Sequence, residues 1–437
     1  MSGLREFIDE QESAGRVTRV TGALDPVGEA GAALARGEAE GRIVVLEQVR
    51  GYRTPVIGGL VASRELMAAA VGATPDGAVT RLAAAMDAPA PVRIVDTAPF
   101  LDGDAGTTDV GAAVPLLTFQ PGSTHPYTTS TVVAARSARH GMNLSFHRMM
   151  YLGGNRFSVR IVPRHLRMIL EEGSGSAEVA VMVGVHPAVY LAAATSGGPD
   201  FDELSLASAL LPGGLEVVEL DGLQVPAHAE LVLRGTISTA EGDIEGPFVD
   251  LTGTLDGVRQ QPVLTVSRIL RREGWLYHTI VPGGREHQLL MGTPQEPRMV
   301  RAVSNAVPCL RELTLTDGGC HWLHAVIALR DPLPGQARNA AMAALGAHPS
   351  LKRVVVVDDD VDIHDAAAVE WAIATRVQAD RDVIVVPGCR GSSLDPSRNP
   401  GDSTTAKWIV DATRPPGADV RAFVRAENLP PDGDRAR

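Results

Sequence analysis

The sequence describes an α/β protein in three parts, and three observations lead there. Helix-like and strand-like apolar spacings alternate over about the first hundred residues. From about 114 to 300, short β-rich runs crowd together between turn residues. After about 300 the alternation returns and continues almost to the end of the 437 residues. A chain of that length can bury the cores of two or three domains, and the divisions expected are 1–110, 111–300 and 301–437.

The elements follow in order. Ser2 is placed to cap an amphipathic helix through about Gln11, and strand-like RVTRV comes next. A helix over GEAGAALARGEA, a strand over RIVVLEQV, and helices in SRELMAAAV and VTRLAAAM complete the first part. It is expected to end near LDGDAGTTD, rich in Gly and Asp, at 101–109. The runs RFSVRIV, AEVAVMVGV, LEVVEL, AELVLRGTIS, PVLTVSRIL and LYHTIV then have the spacing of a β-barrel or sandwich. One helix, begun by Pro163, interrupts them, and GSGS at 173–176 reads as a linker turn. In the last part, strand-like ELTLTD, HAVIALR, VVVVDDD and DVIVVPG alternate with helix-like ARNAAMAALGAH and DAAAVEWAIATR. The tail LPPDGDRAR has the composition of a disordered segment.

Charge narrows the function. With 52 acidic against 40 basic residues the net charge is −12, which disfavours nucleic acid or an anionic membrane as the main partner. Small-molecule chemistry is the better expectation. No apolar run approaches the ~18 residues of a membrane span, and MSGLREFIDEQ is charged rather than signal-like, so a cytoplasmic location is expected. Cys309, Cys320 and Cys389 are too few and too widely spaced for a disulfide framework or a Cys-x-x-Cys site. Neither a phosphate-binding P-loop nor a dinucleotide fingerprint occurs.

Several stretches carry chemistry. In DIEGPFVD, at 243–250, Glu245 and Asp250 are five apart, which points them about 140° from each other on a helix and to opposite faces on a strand. Gly246-Pro247 breaks both elements, so a turn brings the two acids to one site or leaves them as a solvated acidic loop. GMNLSFHRMM, at 141–150, gathers Asn143, His147 and Arg148 between apolar residues. An arginine there suits a two-pronged grip on a planar carboxylate, or a structural bridge between domains. Glu230 opens the otherwise apolar strand of VPAHAELVLRG, and a buried acid there needs a cation or metal as partner, whereas at the strand edge it meets water. Asp358, Asp359 and Asp360 end a buried-looking strand, where acids hold a divalent metal or simply form an exposed turn. In Cys320-His321-Trp322-Leu323-His324 the alternating faces of a strand separate His321 from the other two, which favours core packing.

Together these stretches resemble the UbiD-type decarboxylases, the family using prenylated flavin mononucleotide (FMN) that includes hydroxybenzoate-type and ferulate-type enzymes. The likeness is carried by LREFIDEQESAGRVTRVTGALDP, GMNLSFHRMMYLGGNRFSVRI, VPAHAELVLRGTI, EGPFVDLTG, GGREH, VVVVDDDVDIHD and GSSLDPS, in the family's order along nearly the entire chain. It implies an N-terminal α/β domain, a central split β-barrel that binds the flavin, and a C-terminal α/β domain involved in oligomerisation, as a homodimer or homohexamer. It also implies a manganese-like divalent ion (Mn2+) on Asn143, His165 and Glu230, with a potassium ion (K+) nearby. Phe146, His147, Arg148, Arg164 and Lys407 join these three in the positions of cofactor contacts, and a flavin prenyltransferase would supply the cofactor. The catalytic trio of the resemblance is Arg148, Glu245 and Asp250. Arg148 and Glu245 would orient a carboxylate, and Asp250 would protonate carbon once carbon dioxide leaves, with prenylated FMN as covalent electron sink.

The activity so implied is reversible, non-oxidative decarboxylation of an aromatic, heteroaromatic or α,β-unsaturated acid. Two other readings stand beside it: a flavin-binding paralogue or scaffold without turnover, which a complete trio disfavours, and a metal-dependent hydrolase built on Asp358 to Asp360. One departure is visible. The family writes the turn E-G-P-aromatic-G-acid, and here Val249 occupies the glycine position, where a β-branched residue resists positive φ.

Overall fold

A computed structural model describes residues 3–104, 109–119, 125–415, 417–423 and 425. The tail LPPDGDRAR, the Ser2 cap and part of the 101–109 stretch lie outside the described residues. The chain forms two compact units, Met1–Pro294 and Gln295–Arg437.

In the first unit, helix Leu4–Ser13 starts at Gly3, whose N–H donates to Glu6 Oε2 at 3.0 Å. Strands Val17–Val20, Ile43–Leu46 and Val56–Gly58 form a sheet with Tyr277–His278. Ile43–Leu46, all β-branched or leucine, is buried throughout, as a strand covered on both faces requires. The expected boundary near 110 falls inside this unit: Val56–Gly58 pairs with Tyr277–His278, and Arg93–Ile94 with Glu216–Leu220.

The centre of the unit is an eight-stranded sheet in the order Tyr127–Thr128, Met149–Gly153, Arg156–Val159, Arg259–Arg271, Leu231–Glu245, Ser176–Val183, Val132–Ser137, Gly141–Phe146. Among the described residues its first and last strands are not paired, so the expected barrel is split and not closed. Alternation explains how it is covered. Val132 and Ala134 join one apolar cluster while Val133 and Ala135 join another, so both faces are buried. The long strands Leu231–Glu245 and Arg259–Arg271 are antiparallel with a shift between Ser238 and Gly242, which sets Glu245 opposite Arg259.

Among the described residues of the 111–294 stretch there are four helices beside the single helical turn Val110–Ala113, where the sequence suggested one. The expected helix is His165–Glu172; Pro187–Ala194, Glu203–Leu210 and Arg285–Gly292 are additional. Pro187–Ala194 is apolar nearly all round and seven of its eight residues are buried, so no amphipathic period marks it.

The second unit is a five-stranded sheet in the order Leu310–Leu315, His324–Leu329, Arg353–Asp358, Thr404–Ala412, Val383–Arg390. Helices Glu296–Ala306 and Gln336–Ala347 bury Met299, Val303, Ala340 and Ala344 against one face, and Ala366–Arg376 buries Val369 and Ala372 against the other.

Candidate active site

Strand Gly141–Phe146 puts alternate residues on one face, and the chain's next residue but one continues the row. Asn143, Ser145 and His147 therefore form a line: Ser145 Oγ lies 3.2 Å from Asn143 Oδ1 and 2.9 Å from His147 Nε2. His147 Nδ1 donates to the Arg160 carbonyl at 2.8 Å, which fixes the tautomer with Nε2 as acceptor. Burial pushes the His147 imidazole down to about 4, so it is neutral. Ser145 Oγ, between the two, donates to the buried Asn143 Oδ1 and lies within reach of His147 Nε2.

Facing Asn143 is Glu203, not Glu230. Asn143 Nδ2 donates to Glu203 Oε1 at 3.1 Å and the Leu144 N–H to Oε2 at 3.0 Å. Burial pushes the Glu203 carboxyl up to about 8, since no cation meets it. Asp202 caps the helix by accepting from the Leu204 and Ser205 N–H groups, which aims Glu203 at the strand. A buried amide beside a buried carboxyl that has no counter-charge among the described residues is a donor set that fits a hard divalent ion.

Glu230, implied as a metal ligand by the resemblance, is engaged by arginines in this structure. It is fully buried, and its oxygens accept from Arg5 Nε and Nη2 at 2.9 and 2.8 Å, from Arg272 Nη1 at 3.2 Å and from the Leu276 N–H at 2.9 Å. Two arginines already neutralise it, so it brings no spare charge to Asn143. His165 begins its helix half-buried, depressed by burial and by Arg164 and His140, and makes no hydrogen bond to Asn143 or Glu203 among the described residues. Arg164 donates to Ser196 Oγ at 2.6 Å, and Phe146 packs on Tyr190 at 5.3 Å between ring centroids. Lys407 belongs to the second unit, where its buried ammonium donates to the Pro349 carbonyl at 2.6 Å.

The three catalytic candidates do meet. Arg148 Nε and Nη2 donate to the two oxygens of Glu245 at 2.9 and 3.2 Å, and Nη1 donates to Asp250 Oδ2 at 2.7 Å. The solvated-loop reading of DIEGPFVD therefore fails: Glu245 is completely buried and Asp250 is 13% exposed. Phe248 lies 4.3 Å beneath the guanidinium, a cation–π contact. The Tyr127 hydroxyl donates to Glu245 Oε1 at 3.3 Å and accepts from the Gly246 N–H at 3.1 Å. Burial works against the charge on Arg148, but Glu245, Asp250 and Asp256 outweigh it and hold the guanidinium protonated.

Sequence reasoning missed three neighbours. Asp256 accepts from Arg148 Nη2 at 2.8 Å and is gripped by both Nη atoms of Arg259 at 2.6 and 2.7 Å. Arg160 is half-buried without an ion pair among the described residues, lowered by burial and by Arg259 and Arg148. His287, in GGREH, is lowered by burial, with Asp250 and Arg148 as its nearest charges, and Nδ1 accepts from the Gly283 N–H at 3.1 Å.

The other acidic and histidine clusters resolve differently. Asp358 and Asp360 both pair with Arg376, and Asp359 pairs with Arg330, so arginines occupy the places a metal would take. His321 pairs with Asp317 at 2.8 Å. Among the described residues no three His, Cys, Asp or Glu side chains gather as a metal-binding group, and no helix is long and apolar enough to cross a membrane.

Comparison with known proteins agrees with this arrangement. Three descriptions match in order: the 3-octaprenyl-4-hydroxybenzoate carboxy-lyase N-terminal domain over residues 8–86, its Rift-related domain over 93–285 and its C-terminal domain over 288–412. The fold is that of a carboxy-lyase. The chain belongs to the UbiD family and is a decarboxylase of that type. It is 45% identical over 380 residues to an anhydromevalonate phosphate decarboxylase of Methanothermobacter thermautotrophicus, covering 85% of this chain and 88% of the relative. Its fold matches the UbiD-class enzyme HmfF from Pelotomaculum thermopropionicum, in complex with FMN, with a TM-score of 0.93, 37% identity and 97% of each chain covered. An evolved dimeric form of HmfF in complex with prenylated FMN matches with a TM-score of 0.89 and 35% identity over 96% of each chain.

Proposed function

We propose that this protein decarboxylates an α,β-unsaturated acid with prenylated FMN, and that anhydromevalonate phosphate, named for the Methanothermobacter relative, is the first substrate to test. Aromatic and heteroaromatic acids come after it. The observation that carries this reading is one guanidinium, Arg148, bonded at once to Glu245 and Asp250.

Arg148 receives the substrate carboxylate, and Glu245, buried and two-pronged, fixes the plane of the guanidinium. Phe248 covers the other side of that plane and keeps water from it. As the carbon–carbon bond breaks, carbon dioxide leaves and its bonding electron pair stays with the substrate. Prenylated FMN, when bound, supplies the electron sink for that pair, which no side chain offers. Asp250 then delivers a proton from its carboxyl to the carbon that lost carbon dioxide. Each step reverses at high carbon dioxide.

Asn143 and Glu203, in place of the Glu230 that the resemblance implies, would hold a manganese-like ion for the flavin phosphate; His165 as a third ligand and a potassium ion rest on the resemblance alone. Phe146, neutral His147, Arg148 and Arg164 complete the proposed cofactor surroundings in the first unit; Lys407 as a cofactor contact rests on the resemblance alone. A flavin prenyltransferase would supply the cofactor.

The test is protein produced together with a flavin prenyltransferase and assayed for carbon dioxide release. Asp250→Asn should abolish both release and deuterium incorporation from solvent while leaving flavin absorbance unchanged. Full activity in that variant would remove Asp250 from the mechanism, and release without flavin would overturn the reading.

A further inference from the structure

Arginine has five N–H donors in a fixed plane, and four of those on Arg148 are committed. Nε–H goes to Glu245 Oε1; the two on Nη2 go to Glu245 Oε2 and Asp256 Oδ2; one on Nη1 goes to Asp250 Oδ2. Among the described residues only the second N–H of Nη1 finds no acceptor. Without Asp256, an N–H on Nη2 would also be available, and a carboxylate could settle across Nη1 and Nη2, away from Asp250.

We propose that Asp256 is a further positioning residue: it closes the Nη2 edge of Arg148, so the substrate carboxylate is taken at Nη1, the nitrogen that also holds Asp250. This rests on the decarboxylase reading above and adds a rule of orientation to it. The leaving carboxylate and the proton donor then share one nitrogen, and the carbon to be protonated lies next to its acid.

The surroundings of Asp256 suit that role. Arg259 grips it through both Nη atoms, and strand Arg259–Arg271 begins at that arginine. Burial opposes its charge, but Arg259 and Arg148 outweigh burial and hold its carboxyl well below the usual range. Asp256 stays an anion at any working pH, so it cannot be the proton donor. The two aspartates on Arg148 thus divide the work: one is clamped and charged, the other has no arginine but Arg148 among its hydrogen-bond donors.

The charged and titratable groups around Asp250 and its arginine are Glu245 and Asp256 on Arg148, His287 from helix Arg285–Gly292, Tyr127 on Glu245 and Arg259 on Asp256, with Arg160 beside Arg148 and Arg259. Removing Asp256 takes a negative charge from this set and leaves Arg148 and Arg259 short of a counter-charge. A proton donor amid more positive charge gives up its proton at lower pH.

The test compares holoenzyme of wild type, Asp256→Ala and Asp256→Glu. In Asp256→Ala, kcat should fall about 10- to 100-fold, the cost of a misplaced reactant, while KM for the acid stays level or falls. The alkaline limb of its pH–kcat profile should move to lower pH, and Asp256→Glu should recover part of kcat. Wild-type kcat and an unmoved alkaline limb in Asp256→Ala would overturn the inference. A wild type that releases no carbon dioxide from any acid would instead strike the decarboxylase reading. Hydrogen exchange at the 15N-labelled Arg148 guanidinium then decides alone: at least tenfold faster exchange in Asp256→Ala supports the clamp, and equal exchange overturns it.

Discussion

A single residue shows where charge and position part company. Glu230 and Glu203 are both buried acids in the first unit, yet Glu230 is met by Arg5 and Arg272 while Glu203 is met by an amide. An acid with two arginines is already neutral; an acid with an amide still lacks a counter-charge. Elemental analysis should therefore find a divalent ion in wild-type protein and none in Glu203→Gln. Glu230→Gln should retain the ion and cost about 1–3 kcal/mol of stability, the penalty for a buried polar group that loses its partners. Loss of the ion in Glu230→Gln alone would reverse this assignment. A pH effect follows for ion-free protein. Glu203 keeps its proton up to about 8 when folded, against about 4.3 in an unfolded chain. Between those values the folded state binds more protons, so stability falls as pH rises through that window. Urea midpoints measured from pH 5 to 8 should show this decline in ion-free wild type, and Glu203→Gln should lack it.

At the scale of elements, Glu203 went unread because its helix did. FDELSLASALL carries a capping Asp202 and apolar residues at 204, 207 and 210, the signature of a helix start. With only eight residues it offers little period to read, among strands that do have one. Asp202→Ala should cost about 1 kcal/mol, as losing such a cap does, and should weaken ion binding because the cap aims Glu203. The turn after Glu245 had the opposite history. Val249 raised a question of positive φ, but it lies in strand Phe248–Val249, paired with Leu255, and its φ is not positive. The backbone there is ordinary, and valine suits it. Val249→Gly should lower stability by about 0.5–1 kcal/mol; a more stable variant would show that the position is strained after all.

At the scale of the whole molecule, the elements legible in the sequence were those with a long period: the strands around 231–245 and 259–271 and, in the second unit, helices Gln336–Ala347 and Ala366–Arg376 and every strand but Thr404–Ala412. Arg148, Glu245 and Asp250 were legible only through the resemblance, because residues 97 and 102 positions apart share no local pattern. Asp256 and Arg160 escaped even that, since what marks them is which charge they face. The second unit invites a test of its own. Both faces of its five-stranded sheet are covered by helices from within residues 295–412, and two apolar clusters fill the two layers. A unit that buries its own core in this way holds the means to fold alone. Its buried charges are also settled locally, Asp358 and Asp360 by Arg376, and Asp395 by Lys352. Expressed by itself, the Gln295–Arg437 segment should give a dispersed amide spectrum and one cooperative thermal transition. A collapsed spectrum without a transition would mean that the core visible in the second unit needs residues 1–294 to form.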